Sequence, residues 1–157
     1  MAKKSAKKSG PSAKDAQIVM QLYDLRREAR MREAREYLAV QFFPESAEDF
    51  IKIATAFGSK ENAHFRQVFS YWNMAASLAV QEVVDKQLFK AWSSEMFFLW
   101  AKIQPYINEV RAAMGTPEFL HNVESLVEGD AEGRKRRQNL QQRQKKIREM
   151  RAAAGSG

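Results

Sequence analysis

The sequence predicts an all-α protein: a single compact helical bundle of about five core helices, with a disordered basic N-terminal tail and a basic, partly helical C-terminal tail. Three observations carry that reading. Between residues 15 and 127 apolar side chains recur at helical spacing, and no stretch alternates as a half-buried strand does. Serine, aspartate, glycine and proline stand at the ends of those runs, where helices start and stop. The basic charge lies outside them: residues 1–14 carry +5, residues 128–157 carry +5, and 15–127 carry −3, so the net charge of +7 belongs to the tails.

Residues 1–14 repeat Lys3-Lys4-Ser5-Ala6 as Lys7-Lys8-Ser9-Gly10, with too little apolar surface to offset the entropy of ordering, and are expected to be disordered. The first helix begins near Asp15 and places Ile18, Leu22, Leu25 and Ala29 on one face. Farther along it Glu28 meets Arg32, and Arg32 meets Glu36, at i,i+4, and Pro44 ends the run. Ser46 with Asp49 three residues on is a near capping box for the second helix, which buries Phe50, Ile51, Ala54 and Phe57 and stops at Gly58.

Ser59 caps the third helix, which runs to about Val84 with the stripe Phe65, Phe69, Trp72, Ala76, Ala79 or Val80, and Val83. Tyr71, Met74 and Leu78 make a second apolar face, so this helix is central. Asp85 caps the fourth, with Leu88, Trp92, Met96, Leu99 and Ile103 on its stripe. Pro105 kinks or restarts it, and the restarted piece holds Tyr106, Ile107 and Val110 and ends at Gly115. Thr116-Pro117 opens the fifth, whose apolar face is Phe119, Leu120, Val123 and Val127. The chain thus divides into a Lys-rich tail (1–14), a bundle domain (15–127), and a linker with a basic helical tail (128–157). In that last part Leu140, Ile147 and Met150 are too sparse for a sustained heptad seam, which predicts a fraying, solvated helix that orders only on a partner.

Composition narrows the chemistry. With 45% hydrophobic and 29% charged residues among 157, the chain can bury a core. It has no cysteine, which excludes disulfides, a thiol nucleophile and Cys-based metal sites. Phosphate-cradling glycine loops, dinucleotide fingerprints, the serine elbow and helical E-x-x-H metal pairs are missing, so no enzyme activity and no cofactor are implied. The longest uncharged stretch, Gln67 to Gln81, is 15 residues, short of the ~20 a membrane-spanning helix needs. The lysine-rich start leads into Gly10-Pro11-Ser12 and no apolar segment, so a cytoplasmic protein is expected.

Few residues suggest a site. His64 and His121 stand apart from other metal-ligating types and read as surface or half-buried imidazoles. Asn73 reads as bonding another helix and Glu95 as facing water; the rival is an enzyme pocket among Trp72, Asn73, Glu95 and Trp100. Phe97 and Phe98 are adjacent on a helix already apolar at Met96 and Leu99, so Phe97, Phe98 and Trp100 are a candidate interaction face for a protein partner or a second copy. Lys3, Lys4, Lys7, Lys8, Arg134, Lys135, Arg136, Arg137, Arg143, Lys145, Lys146 and Arg148 are candidate polyanion-binding residues, able to neutralise nucleic-acid phosphates without sequence preference. A helical protein-interaction module leads, and nucleic-acid association through the tails is the alternative.

The segment Phe69-Ser70-Tyr71-Trp72-Asn73 reaching to Gln87-Leu88-Phe89, followed by Trp100-Ala101-Lys102-Ile103-Gln104-Pro105-Tyr106-Ile107-Asn108-Glu109-Val110-Arg111, resembles an uncharacterised bacterial family of small all-helical domains of unknown function. The resemblance covers about 15–115. It implies a helical bundle and a bacterial origin, and carries over no catalytic residue.

Overall fold

The computed structural model describes residues 10–155. The expected disorder of the tail falls largely on residues 1–9, outside the described residues. From Ser12 onward the expectation is corrected, because Ser12 caps α1 (Ala13–Arg27). Its hydroxyl accepts from the Asp15 N–H at 3.2 Å and its own N–H donates to Asp15 Oδ2 at 2.6 Å. Asp15 is buried, and its Oδ1 accepts from the Asp85 N–H at 2.9 Å, tying the start of α1 to a residue 70 positions on.

The long first helix of the sequence reading is two helices. At Glu28 the backbone turns extended (ψ 141°), and the carboxylate accepts from the Met31 N–H at 2.9 Å to start α2 (Ala29–Glu36). The break shifts the buried face: Leu22, Met31 and Ala34 are buried, whereas Leu25 is exposed. α2 runs into a π turn, Tyr37–Gln41, with Phe42 N–H donating to Tyr37 O at 2.8 Å.

The Ser46–Asp49 capping box forms and starts α3 (Ala47–Thr55), which buries Phe50, Ile53 and Ala54. Phe57, expected in the core, is 80% exposed, because the helix stops two residues before it and helical spacing no longer aims its ring. Ser59 caps α4 (Lys60–Val80), which is central: Phe65, Phe69, Tyr71, Trp72, Ala76 and Ala79 are all buried. It ends before Val83, which is exposed.

The fourth predicted helix is interrupted at Ser93, giving α5 (Lys86–Trp92) and α6 (Ser94–Ile103). Pro105 sits in a 3-10 turn, Gln104–Tyr106, after which α7 (Ile107–Met114) ends at Gly115 in the left-handed region (φ 64°). Pro117 does not open the next helix. Residues 116–120 turn, Leu120 is left-handed (φ 61°), and α8 (His121–Glu128) begins after it.

α4 packs against α2, α3 and α8, α3 against α7, and α6 against both α8 and the last helix, α9 (Ala131–Ala154). α9 is not a solvated, fraying tail: it lies along α6 and is held there by side chains described below. Among the described residues no helix is long and apolar enough to cross a membrane.

Candidate functional site

A concavity of about 590 Å³ lies between the N-terminal half of α4 and the α7–α8 connection. Phe65 and Phe69 line it from α4, and Met114, Phe119 and Leu120 line the other side. The three rings form a cluster, with Phe65 stacked on Phe119 at 5.6 Å and Phe69 edge-on to Phe119 at 6.0 Å. Arg66, Gln67, Asn73 and Glu118 form a polar rim. An apolar floor with a few polar groups at the edge is the usual make-up of a pocket of this size.

Long-range contacts hold the connection in this shape. α8 has no side-chain cap of its own, since Leu120 stands at its N-cap; instead Asn73 Oδ1, from α4, accepts from the Asn122 N–H at 3.1 Å. Asn73 therefore bonds another helix, as the sequence suggested. Arg111 donates from Nε to Phe119 O at 2.9 Å and pairs with Glu124 at 2.7 Å, pinning the same connection to α7 and α8.

Glu95 does not face water. Its side chain is 12% exposed, and Arg35 Nε donates to its two oxygens at 2.9 and 2.8 Å, Arg26 Nη2 at 3.4 Å and Trp72 Nε1 at 3.1 Å. The Arg26 guanidinium also lies over the rings of Trp72 and Trp92, at 5.1 and 5.5 Å. Trp100 Nε1 donates instead to Glu128 Oε1 at 2.7 Å, and Asn73 is engaged with α8. Trp72 and Glu95 thus meet at one helix junction, whereas Asn73 and Trp100 serve two others, so the four side chains do not converge on one point.

Lys102 plays a comparable part. Its Nζ donates to Leu38 O, Ala39 O and Phe42 O at 2.6, 3.0 and 2.7 Å, meeting carbonyls of the π turn and of the residue that follows it. Burial first, then the charges of Arg151 and Arg148, push its ammonium down to about 7. The three carbonyls and the rings of Phe43 and Phe98, 3.9 and 4.9 Å from Nζ, favour the charged form and act against that push. His64 is buried beside Tyr37, ring centroids 5.5 Å apart, deeper than expected, while His121 is exposed at the start of α8. Among the described residues no three His, Asp or Glu side chains are placed to hold a metal ion.

The candidate face Phe97, Phe98 and Trp100 is corrected. Phe97 and Trp100 are each 1% exposed and Phe98 is half-buried, on a helix along which α9 packs. The Arg136 guanidinium lies 3.9 Å over Phe97, Gln144 Nε2 donates to Phe98 O at 2.7 Å, and Gln141 Nε2 to Ala101 O at 3.2 Å. α9 presents Gly133, Arg137, Leu140, Gln144, Ile147 and Arg151 on this side, alternately four and three residues apart. That is a heptad seam with polar residues at half its positions, which is why counting apolar residues missed it.

The basic candidates separate accordingly. Lys3, Lys4, Lys7 and Lys8 lie outside the described residues. Arg136 donates to Lys90 O and Ser94 Oγ, both at 2.9 Å; Arg137 pairs with Glu128 at 2.7 Å, and Arg134 donates to Glu128 O at 2.6 Å. Lys135, Arg143, Lys145 and Lys146 are exposed, and Arg148 is half-buried beside Tyr106 in a shallow cleft.

Residues 11–129 match the family model described as a domain of unknown function, DUF4760. The chain belongs to this family. The match takes in α1 to α8 and the groove, and stops before α9. No curated protein and no solved structure matches the chain.

Proposed function

We propose that this DUF4760 member is a non-enzymatic helical interaction module of the bacterial cytoplasm, whose groove beside α4 receives an apolar segment of a protein partner or of a second copy. The groove carries the reading: about 590 Å³ with a floor of Phe65, Phe69, Phe119 and Leu120 and a rim of Arg66, Gln67 and Glu118. The ionisable groups of the core support it from the other side, because Glu95, Arg26, Arg35 and Lys102 are engaged in joining helices. A photo-cross-linker at Gln67 in the full-length chain, used in cells, should yield one discrete adduct. Phe119→Asp should abolish it while helix content is kept. Smeared background labelling and monomeric behaviour at high concentration would overturn the reading.

A second reading rests on a different surface. Lys135, Arg143, Lys145 and Lys146 stand exposed along α9, while Arg136 and Arg137 turn inward, so the outer face of the helix offers cations to a polyanion such as nucleic acid. Binding of mixed DNA and RNA should then fall steeply with salt and be lost in Lys135→Glu/Lys146→Glu. Equal binding by that variant would remove this reading.

A further inference from the structure

We propose that the seat of α9 on α6 and α8 is a helix-docking surface that also takes the α9 of a second copy, so that two chains exchange their C-terminal helices. The surface differs from the groove beside α4, and the argument for it is independent of that groove.

The first ground is how α9 is held. Its seam offers Leu140 and Ile147 as apolar residues, and the other contacts are directional: Arg136, Arg137, Gln141, Gln144 and Arg151 all donate. The seat supplies the acceptors, namely the Glu128 carboxylate, Ser94 Oγ and the carbonyls of Lys90, Ala101, Phe98 and Gln41. Polar seam residues define register at a cost in stability. The seat is therefore selective for this helix, while the helix itself leaves more cheaply than a core helix would. Nine basic and two acidic residues in 131–154 also disfavour pairing of α9 with another α9, which leaves the seat as its matching surface.

The second ground is the turn that keeps α9 on its own chain. Only Gly129 and Asp130 separate α8 from α9, so the helix is presented to its seat at high effective concentration. The turn closes only because two residues lack a Cβ. One built on Gly129 would run into Ser125 O, and one built on Gly133 into Val127 O, both far inside van der Waals contact. Opening this turn lets α8 continue into α9, and every seat contact can re-form on a neighbouring chain. The third ground is what an empty seat would leave in water: the face of α6 under α9, with the Phe97 ring that Arg136 now covers, on a domain whose family match ends at residue 129.

The chain has no cysteine, so the exchange can be read with single thiols. Gln141 and Gln104 are hydrogen-bonded across the seam at 3.0 Å. Full-length Gln141→Cys and Gln104→Cys chains are concentrated together, warmed below their melting point, cooled and oxidised. The mixed disulfide should exceed either self-disulfide several-fold. Gly129→Ala/Gly133→Ala, which disfavours the closed turn, should raise the dimer fraction several-fold at equal concentration, to twice the 18.1 kDa monomer mass. Phe119→Asp should leave this dimer intact, whereas a dimer built on the α4 groove would be lost. A helical double-alanine variant that stays monomeric overturns the proposal. So does a dimer without the 141–104 link, and so does the absence of a mixed disulfide between chains with the natural glycines, a result that decides the matter even where the double-alanine variant fails to fold.

Discussion

α4 and α9 are both long helices, of 21 and 24 residues, and they are held by opposite means. α4 buries ten residues, among them Phe65, Val68, Phe69, Tyr71 and Trp72, and helices pack on several of its sides. α9 buries two, Gly133 and Gln144, and stays in place through hydrogen bonds that its arginines and glutamines donate. Non-directional apolar burial tolerates no easy departure, because every contact of α4 is lost together with core volume. Directional polar contacts specify where α9 sits, yet water competes for each of them once the helix moves. The molecule thus combines a rigid family domain with an appended helix whose position is defined but not deeply secured.

The largest effect expected on this contrast comes from the polar node at α4. Glu95→Gln removes the charge that Arg26 and Arg35 share beneath Trp72, and should cost about 3 kcal/mol of global stability in urea unfolding. A loss confined to α9 would mean that the two regions are not energetically distinct. Gln144→Ala comes next. It removes the bond that the buried Gln144 side chain donates to Phe98 O and should cost about 1–2 kcal/mol. The cost should appear as faster hydrogen exchange along α9 while the amides of α4 keep their protection; equal acceleration in both helices would break the contrast. The smallest effect is acid-induced. Lys90 first, and then the Gly133 N–H, hold the Asp130 carboxyl below its ordinary value of 3.8. Its folded form therefore binds fewer protons than the unfolded chain, so its contribution is complete above about 4 and fades as pH falls through the depressed value. Protection at the start of α9 should decline in that window before α4 changes, and no decline at all would show that the Asp130 cap contributes nothing.

Much of the bundle was legible in the sequence for a local reason. Ser46, Ser59 and Asp85 cap helices through their own third neighbour, and Gly115 ends one through its own φ, so residues close in the chain carry the whole signal. Phe57 was misread because its apolar character was legible and the end of α3, two residues earlier, was not. The breaks at Glu28 and Ser93 were missed because helix formers surround both, and the arginines that meet Glu95 stand 60 and 69 positions from it. The α4 groove shared that fate: Phe65 and Phe69 were visible as a stripe, but Met114 and Phe119 come to them from the α7–α8 connection, more than 40 positions along the chain.

By itself the sequence determined that this chain is helical, where most helices begin, which helix is central, and that its ends rather than its core are basic. Those properties follow from spacing, capping chemistry and charge, all of which act within a few residues. Tertiary structure alone decided which helix end receives a cap from which distant side chain: Asn73 for the start of α8, Lys102 for the π turn that follows α2. It also decided that the face of α6 bearing Phe97 is covered by a helix of the same chain. A buried donor or acceptor must find a partner, but nothing in its immediate neighbours names that partner.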